Sequence, residues 1–308
     1  MKRRDFINKA ALVAGAVSFS GSAIPVPGKE PESKDLTVRD FQHYLRSLTE
    51  VQEPSVDQII IGNPDALVKK VGTAWMPYLK TIREAIDKGV NLLVVHEPTF
   101  YTHLDLQPSD WDYHTAPEPA KTVYYKARDA KQELIKTNDF SIIRCHDVLD
   151  KIPEFGIPFS FGQKLGLTNA DIIASKTYYN VYRIKPRPAK EFALQVSRQL
   201  ASLNQPGVAF YGDENRVIGT VGLGTGCICN PMDYMELNAD CYIAIDDTIR
   251  TWIQTTFAED TGMPLIVINH GTSEENGMVL LNRHLTRTFP QTEFVHFSQG
   301  CSYKWITG

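Results

Sequence analysis

Three short apolar runs in this chain each stop at a histidine with a carboxylate close behind, and few folds can use that pattern. Leu92-Leu93-Val94-Val95 runs into His96-Glu97, and Ser141-Ile142-Ile143-Arg144-Cys145 runs into His146-Asp147 with Asp150 just beyond. A third run ends at Ile268-Asn269 and delivers His270 four residues ahead of Glu274. With only eight histidines in 308 residues, the recurrence is not a by-product of composition. Short apolar runs of this kind read as strands, and strand ends are where α/β proteins keep their sites. The pattern predicts an α/β fold whose strand ends converge on a metal site, read here as holding two ions.

The intervening segments support that class. Val38, Phe41, Leu45 and Leu48 follow helical spacing within Leu36–Thr49, and Val56–Gly62 reads as the first strand. A helix is expected over Ala74–Lys88, stopped by Gly89, with a strand over 90–95. After a loop over 102–119 rich in Pro, Asp and aromatics (His103, Trp111, Tyr113, His114), a helix over 120–137 leads into a strand at 140–145. Beyond Leu167 the spacing predicts strands at 177–184, 208–211, 217–222, 241–245 and 265–269, and helices at 188–203, 230–237 and 248–259. The expectation is two linked α/β lobes with mixed sheets flanked by helices, about 36–167 and 168–308, with the metal site in the cleft between them. The C-terminal motif then returns to the shared site.

Residues 1–23 stand apart. Lys2-Arg3-Arg4-Asp5-Phe6-Ile7-Asn8-Lys9, a short apolar run and small residues at Gly21-Ser22-Ala23 read as a twin-arginine export leader, followed by a proline-rich linker over 24–35. The apolar run is too short to span a bilayer. The expected location is periplasmic or secreted, with no membrane attachment once the leader is gone. The formal charge of −4 would fall to about −7 on cleavage, and no Lys/Arg cluster marks the body, so nucleic acid is not an expected partner. Five cysteines lie outside the leader; Cys227-Ile228-Cys229 has the wrong spacing for a zinc knuckle or redox pair, and the five read mainly as buried small hydrophobes.

Locally, Thr272 and Glu275 have capping-box spacing, which predicts a helix beginning at Thr272, with Glu275 used in the cap and Glu274 turned to the buried side. A buried carboxylate needs a positive partner, and a metal ion supplies one. Taken alone, His96 reads equally well as a hydrogen-bonded core histidine and His146-Asp147 as a turn. The glycine turn Gly222–Gly226 lacks dinucleotide-binding spacing, and neither a G-x-S-x-G elbow nor a P-loop is present.

Segments 91–100, 142–167, 217–226, 239–246 and 264–278 together resemble the NGG-interacting-factor-three-like family, whose bacterial members are often labelled dinuclear metal-centre hexameric proteins or GTP cyclohydrolase I type 2. Its pattern is a histidine pair, then H-x-x-x-D, then G-H-x-x-x-E. His96, His146, Asp150, His270 and Glu274 match, while Glu97 stands where the second histidine is usual and Asn269 replaces the glycine. By resemblance, His96, Glu97, Asp150, His270 and Glu274 are metal ligands, and the subunit is a compact two-lobed member of a homo-hexamer. The glutamate at 97 shifts preference toward hard ions such as manganese or iron over zinc. The implied activity is a small-molecule hydrolase using two divalent ions, with Glu274 bridging and His146 moving protons. GTP is discounted as substrate for an exported protein. The alternative is a non-catalytic metal-binding or assembly protein.

Overall fold

Uninterrupted apolar runs become strands buried on both faces, as parallel strands between helical layers must be. A computed structural model describes residues 36–107 and 116–306. The proposed leader, the linker, and Trp111, Tyr113 and His114 of the aromatic loop lie outside the described residues. The strands are β1 (Ile59–Ile61), β2 (Lys70–Ala74), β3 (Leu92–Val95), β4 (Ser141–Arg144), β5 (Ile172–Lys176), β6 (Tyr179–Pro188), β7 (Ala209–Tyr211), β8 (Val217–Leu223), β9 (Cys241–Ile245), β10 (Leu265–Ile268) and β11 (Glu293–His296). The α-helices are α1 (Val38–Arg46), α2 (Leu79–Asp87), α3 (Ala120–Thr137), α4 (Asp147–Lys151), α5 (Ile157–Lys164), α6 (Ala189–Leu200), α7 (Thr256–Thr261) and α8 (His270–Thr288).

The architecture is the expected mixed α/β one. The first sheet runs β1-β4-β3-β2-β11, parallel except for β1 at its edge. The second runs β5-β6-β8-β9-β10-β7, with β8, β9 and β10 parallel and the outer pairs antiparallel. The chain crosses back near its end: β10 belongs to the second sheet, but α8 buries Met278, Leu281 and Leu285 among Phe41, Leu45, Val71 and Leu92, and β11 completes the first sheet. No helix among the described residues is long and apolar enough to cross a membrane.

Some expected elements differ. Lys70–Ala74 is a strand and α2 starts only at Leu79, where a single helix was expected from Ala74; Pro77 disfavours helical geometry at Met76 and separates the two. The helix expected over 230–237 is two 3-10 turns, bracketed by Pro231 and by Asn238 in the left-handed region at φ 54°. The helix expected over 248–259 divides into a π-turn at Thr251–Thr255 and α7, where the Thr255 hydroxyl bonds back to the Thr251 carbonyl. The short helices α4 and α5 carry too few turns to show a period. All five cysteines are free; Cys145, Cys229 and Cys241 are buried, Cys301 is partly so, and Cys227 is exposed.

Candidate metal centre

The parallel strands of both sheets present their C-terminal ends to one small cavity. β3 ends at His96 and Glu97, β4 runs through Cys145 to His146, and β10 runs through Asn269 to His270. The turn after β3 is clamped by Arg144, fully buried, whose Nε donates to the His96 carbonyl (3.1 Å) and whose Nη1 donates to the His103 carbonyl (2.6 Å). At the end of β4, the Asp57 carboxylate takes the backbone N–H of His146 and, at 3.0 Å, that of Val148, which starts α4. One helical turn then separates His146 from Asp150, and another separates His270 from Glu274, so each pair faces the same way. Glu97, His146, Asp150, His270 and Glu274 line the cavity, with His96 behind them.

Two donor clusters result, His96–His146–Asp150 and His96–Glu97–Glu274, each with its ligand atoms within 4.8 Å of one another. Glu274 Oε2 lies between the imidazoles, 3.1 Å from His270 Nε2 and 3.4 Å from His96 Nε2. His270 Nε2 also lies 3.2 Å from Glu97 Oε1, and His96 Nε2 lies 3.6 Å from Asp150 Oδ1. The rings of His96 and His146 stack at 4.4 Å. The geometry thus makes His146 a possible donor as well as a proton carrier.

The imidazole tautomers decide whether these groups suit a cation. His96 Nδ1 sits 3.2 Å from the Cys145 carbonyl, which only accepts, so the ring proton belongs on Nδ1. His270 Nδ1 sits 2.7 Å from Asp247 Oδ2, which orients that ring the same way. Both Nε2 atoms are buried and make no hydrogen bond, a condition that costs roughly 1–3 kcal/mol each if nothing binds them. Bare ring nitrogens aimed at shared carboxylate oxygens are the donor set of a divalent cation, so the residues fit the group.

Electrostatics follow from confinement. Glu97, Asp150 and Glu274 are crowded together, and among the described residues no lysine or arginine forms an ion pair with them. Burial raises Asp150 above the usual carboxylate range, helped by Glu274 and Glu97 and opposed by His146 and His96. For Glu97 burial also opposes ionisation, but the His270 and His96 imidazoles beside it outweigh burial and hold this carboxyl low. Burial disfavours charge on His146, yet Asp150 and Asp147 push it up to about 9.

Several contributors were invisible in the sequence reading. Thr272 and Glu275 do not form the expected capping box: α8 begins two residues earlier at His270, the Thr272 hydroxyl has no hydrogen bond, and Glu275 pairs with His296 at 2.9 Å. Strand β10 fixes where the helix can start, so Thr272 falls inside its first turn. Asn269 spans β9 and the C-terminal segment through Asp246 (2.9 Å) and Ser302 (2.8 Å). The apolar run Cys241–Ile245 ends in Asp246-Asp247 with no histidine, a strand-then-acid pattern that lies outside the histidine signal of the other three and yet supplies the His270 partner. Gly226, read only as failing a nucleotide motif, lies in the cavity wall where an added Cβ would stand 2.6 Å from Glu274 Oε1.

A two-sheet α/β protein with histidine and carboxylate donors gathered at its strand ends is the class so defined. The chain belongs to the DUF34/NIF3 (NGG1p interacting factor 3) family, whose model matches residues 37–300. The fold is shared with Staphylococcus aureus hypothetical protein SA1388, at 20% identity and TM-score 0.66 over 89% of this chain and 100% of that one. A Bacillus cereus protein related to NIF3 gives 14% identity and TM-score 0.66, covering 90% and 100%. Reduced HcgD from Methanocaldococcus jannaschii gives 20% identity and TM-score 0.62, covering 86% and 99%. No curated protein matches.

Proposed function

We propose that this protein is a metal-dependent hydrolase of a small molecule, working with two divalent ions held by His96, Glu97, Asp150, His270 and Glu274. The observation that carries the reading is the pair of buried, unpartnered Nε2 atoms of His96 and His270 on either side of Glu274 Oε2. Divalent cations there would supply Lewis acidity, making water more acidic and stabilising negative charge on an attacked carbon or phosphorus. His96 is common to both donor clusters and Glu274 belongs to the one with Glu97; these residues, with His270 and Asp150, would hold the ions. His146 holds a proton against Asp147 and Asp150 and reaches the cavity, which suits it to protonate a leaving group. Tyr178 and Ile228 contribute to the cavity wall beside the donors, supporting a site that admits substrate over a closed structural one.

The test is metal analysis of the full chain expressed in its own host, then screening of phosphoester, amide and cyclic-amidine substrates with manganese, iron or zinc. Turnover abolished by Glu274→Gln supports the hydrolase. Turnover of nothing with any of these metals, with Glu274→Gln lowering only the melting temperature, replaces it with a metal-binding or assembly role. Export through the twin-arginine leader belongs to the same proposal, as does a homo-hexamer; cell fractionation and solution mass check them.

A further inference from the structure

Trp75, at the end of β2, touches four of the donor residues: His96, Glu97, His270 and Glu274. Its carbonyl accepts the backbone N–H of both His96 (3.1 Å) and Glu97 (3.0 Å), fixing the turn that carries two donors. Its ring stands edge-on to that of His270, with centroids 5.4 Å apart. Its indole Nε1–H donates to Glu274 Oε2 at 2.7 Å, the same oxygen that lies between the two imidazoles. The ring is buried at 2% exposure, and the approach is close: a Cβ on Gly271 would fall 2.8 Å from a ring carbon.

From this arrangement we infer that Trp75 is the positioning residue of the metal centre, fixing the rotation of the Glu274 carboxylate so that one oxygen is held between the two histidines. A glutamate side chain just past the first turn of α8 has two equivalent oxygens and a free terminal torsion. The indole donor removes that freedom. Oε2 is drawn to the imidazoles, and Oε1 is left against Gly226, where an added Cβ would stand 2.6 Å from it. An indole N–H can only donate, so it holds the carboxylate as an acceptor and cannot compete with it for a cation. Because Oε2 spends one lone pair on this bond, Trp75 also limits how much of that oxygen remains for cations. The inference rests on the metal reading, but the indole–carboxylate bond itself does not.

The experiment therefore has two arms on the full chain. In the first, the protein carries ¹⁵N-labelled tryptophan and is stripped of metal; the indole proton missing from Trp75→Phe is assigned to Trp75. It is expected downfield and slow to exchange, and to move on Glu274→Ala. An unshifted, fast-exchanging signal overturns the inference. In the second, manganese or zinc is titrated by calorimetry and tryptophan emission. Trp75→Phe, which keeps a ring against His270, is expected to change affinity by roughly 10–100-fold, the usual effect of losing an outer partner of a ligand. It should also lose the emission change expected of the wild type. Unaltered affinity and stoichiometry, with only a lower melting temperature, would reduce Trp75 to a packing residue and leave the metal reading standing. A wild type that binds no ion removes both.

Discussion

Replacing Gly226 with alanine attacks the metal centre without removing a donor atom. Gly226 has φ +68°, where a Cβ costs roughly 1–2 kcal/mol on backbone grounds. The new carbon would lie 2.6 Å from Glu274 Oε1, and ordinary contact begins near 3.4 Å, so the carboxylate must retreat by about 0.8 Å. Glutamate tips usually yield cheaply, but this one is 2% exposed and held by Trp75 at 2.7 Å. Retreat therefore strains that bond and displaces Oε2 from between His96 and His270. The metal-free protein should lose roughly 1–2 kcal/mol in denaturant unfolding. Manganese or zinc affinity should fall by roughly 10–100-fold, or about 1.4–2.7 kcal/mol, in a calorimetric titration. Wild-type affinity in Gly226→Ala would show that the Gly226 wall does not constrain the Glu274 carboxylate, and the geometry argued for Glu274 would fall with it.

Two further predictions concern the frame around the site. Lys131 is buried, donates to the Thr99 carbonyl at 2.6 Å, and is brought down by burial to about 8 against 10.5 when free, despite the favourable charge of Asp105. The unfolded chain thus binds more protons between pH 8 and 10.5, so stability should rise across that window relative to Lys131→Met, by up to about 3 kcal/mol, as measured by urea unfolding. A flat difference would show that Lys131 titrates as if exposed. His296→Ala should cost roughly 1–3 kcal/mol by the same assay, because it strips the imidazole from Glu275, a fully buried carboxylate, and leaves its Oε1 the Gln299 backbone N–H at 3.0 Å. A loss under 1 kcal/mol would mean that water takes over the pairing.

How much was legible follows from which interactions are local. The runs Leu92–Val95, Ser141–Arg144 and Leu265–Ile268 carry their strand identity in their own composition, and α3 is found over 120–137 as its spacing predicts. Strand β2 was missed because Lys70–Ala74 is short and mixed in character, and Trp75 went with it. The capping box at Thr272 and Glu275 was a local pattern overruled by a distant partner, since a buried pair with His296 offers Glu275 more than an N-terminal amide does. Asp247 went unmarked because its run ends in carboxylates with no histidine.

The order of strand, histidine and carboxylate lies within a few residues along the chain, and that proximity determined the α/β class and pointed to the histidine–carboxylate groups at 96–97, 146–150 and 270–274, while their choice as one ligand set came from the family pattern they resemble. Which oxygen meets which nitrogen is a matter of contacts across 199 residues for Trp75 and Glu274, 49 for His96 and Cys145, and 23 for His270 and Asp247. Hydrogen bonds of that span exist only once both sheets have formed and α8 has crossed back to the first of them. Tautomer, carboxylate orientation and the unpaired nitrogens were therefore decided by the tertiary structure.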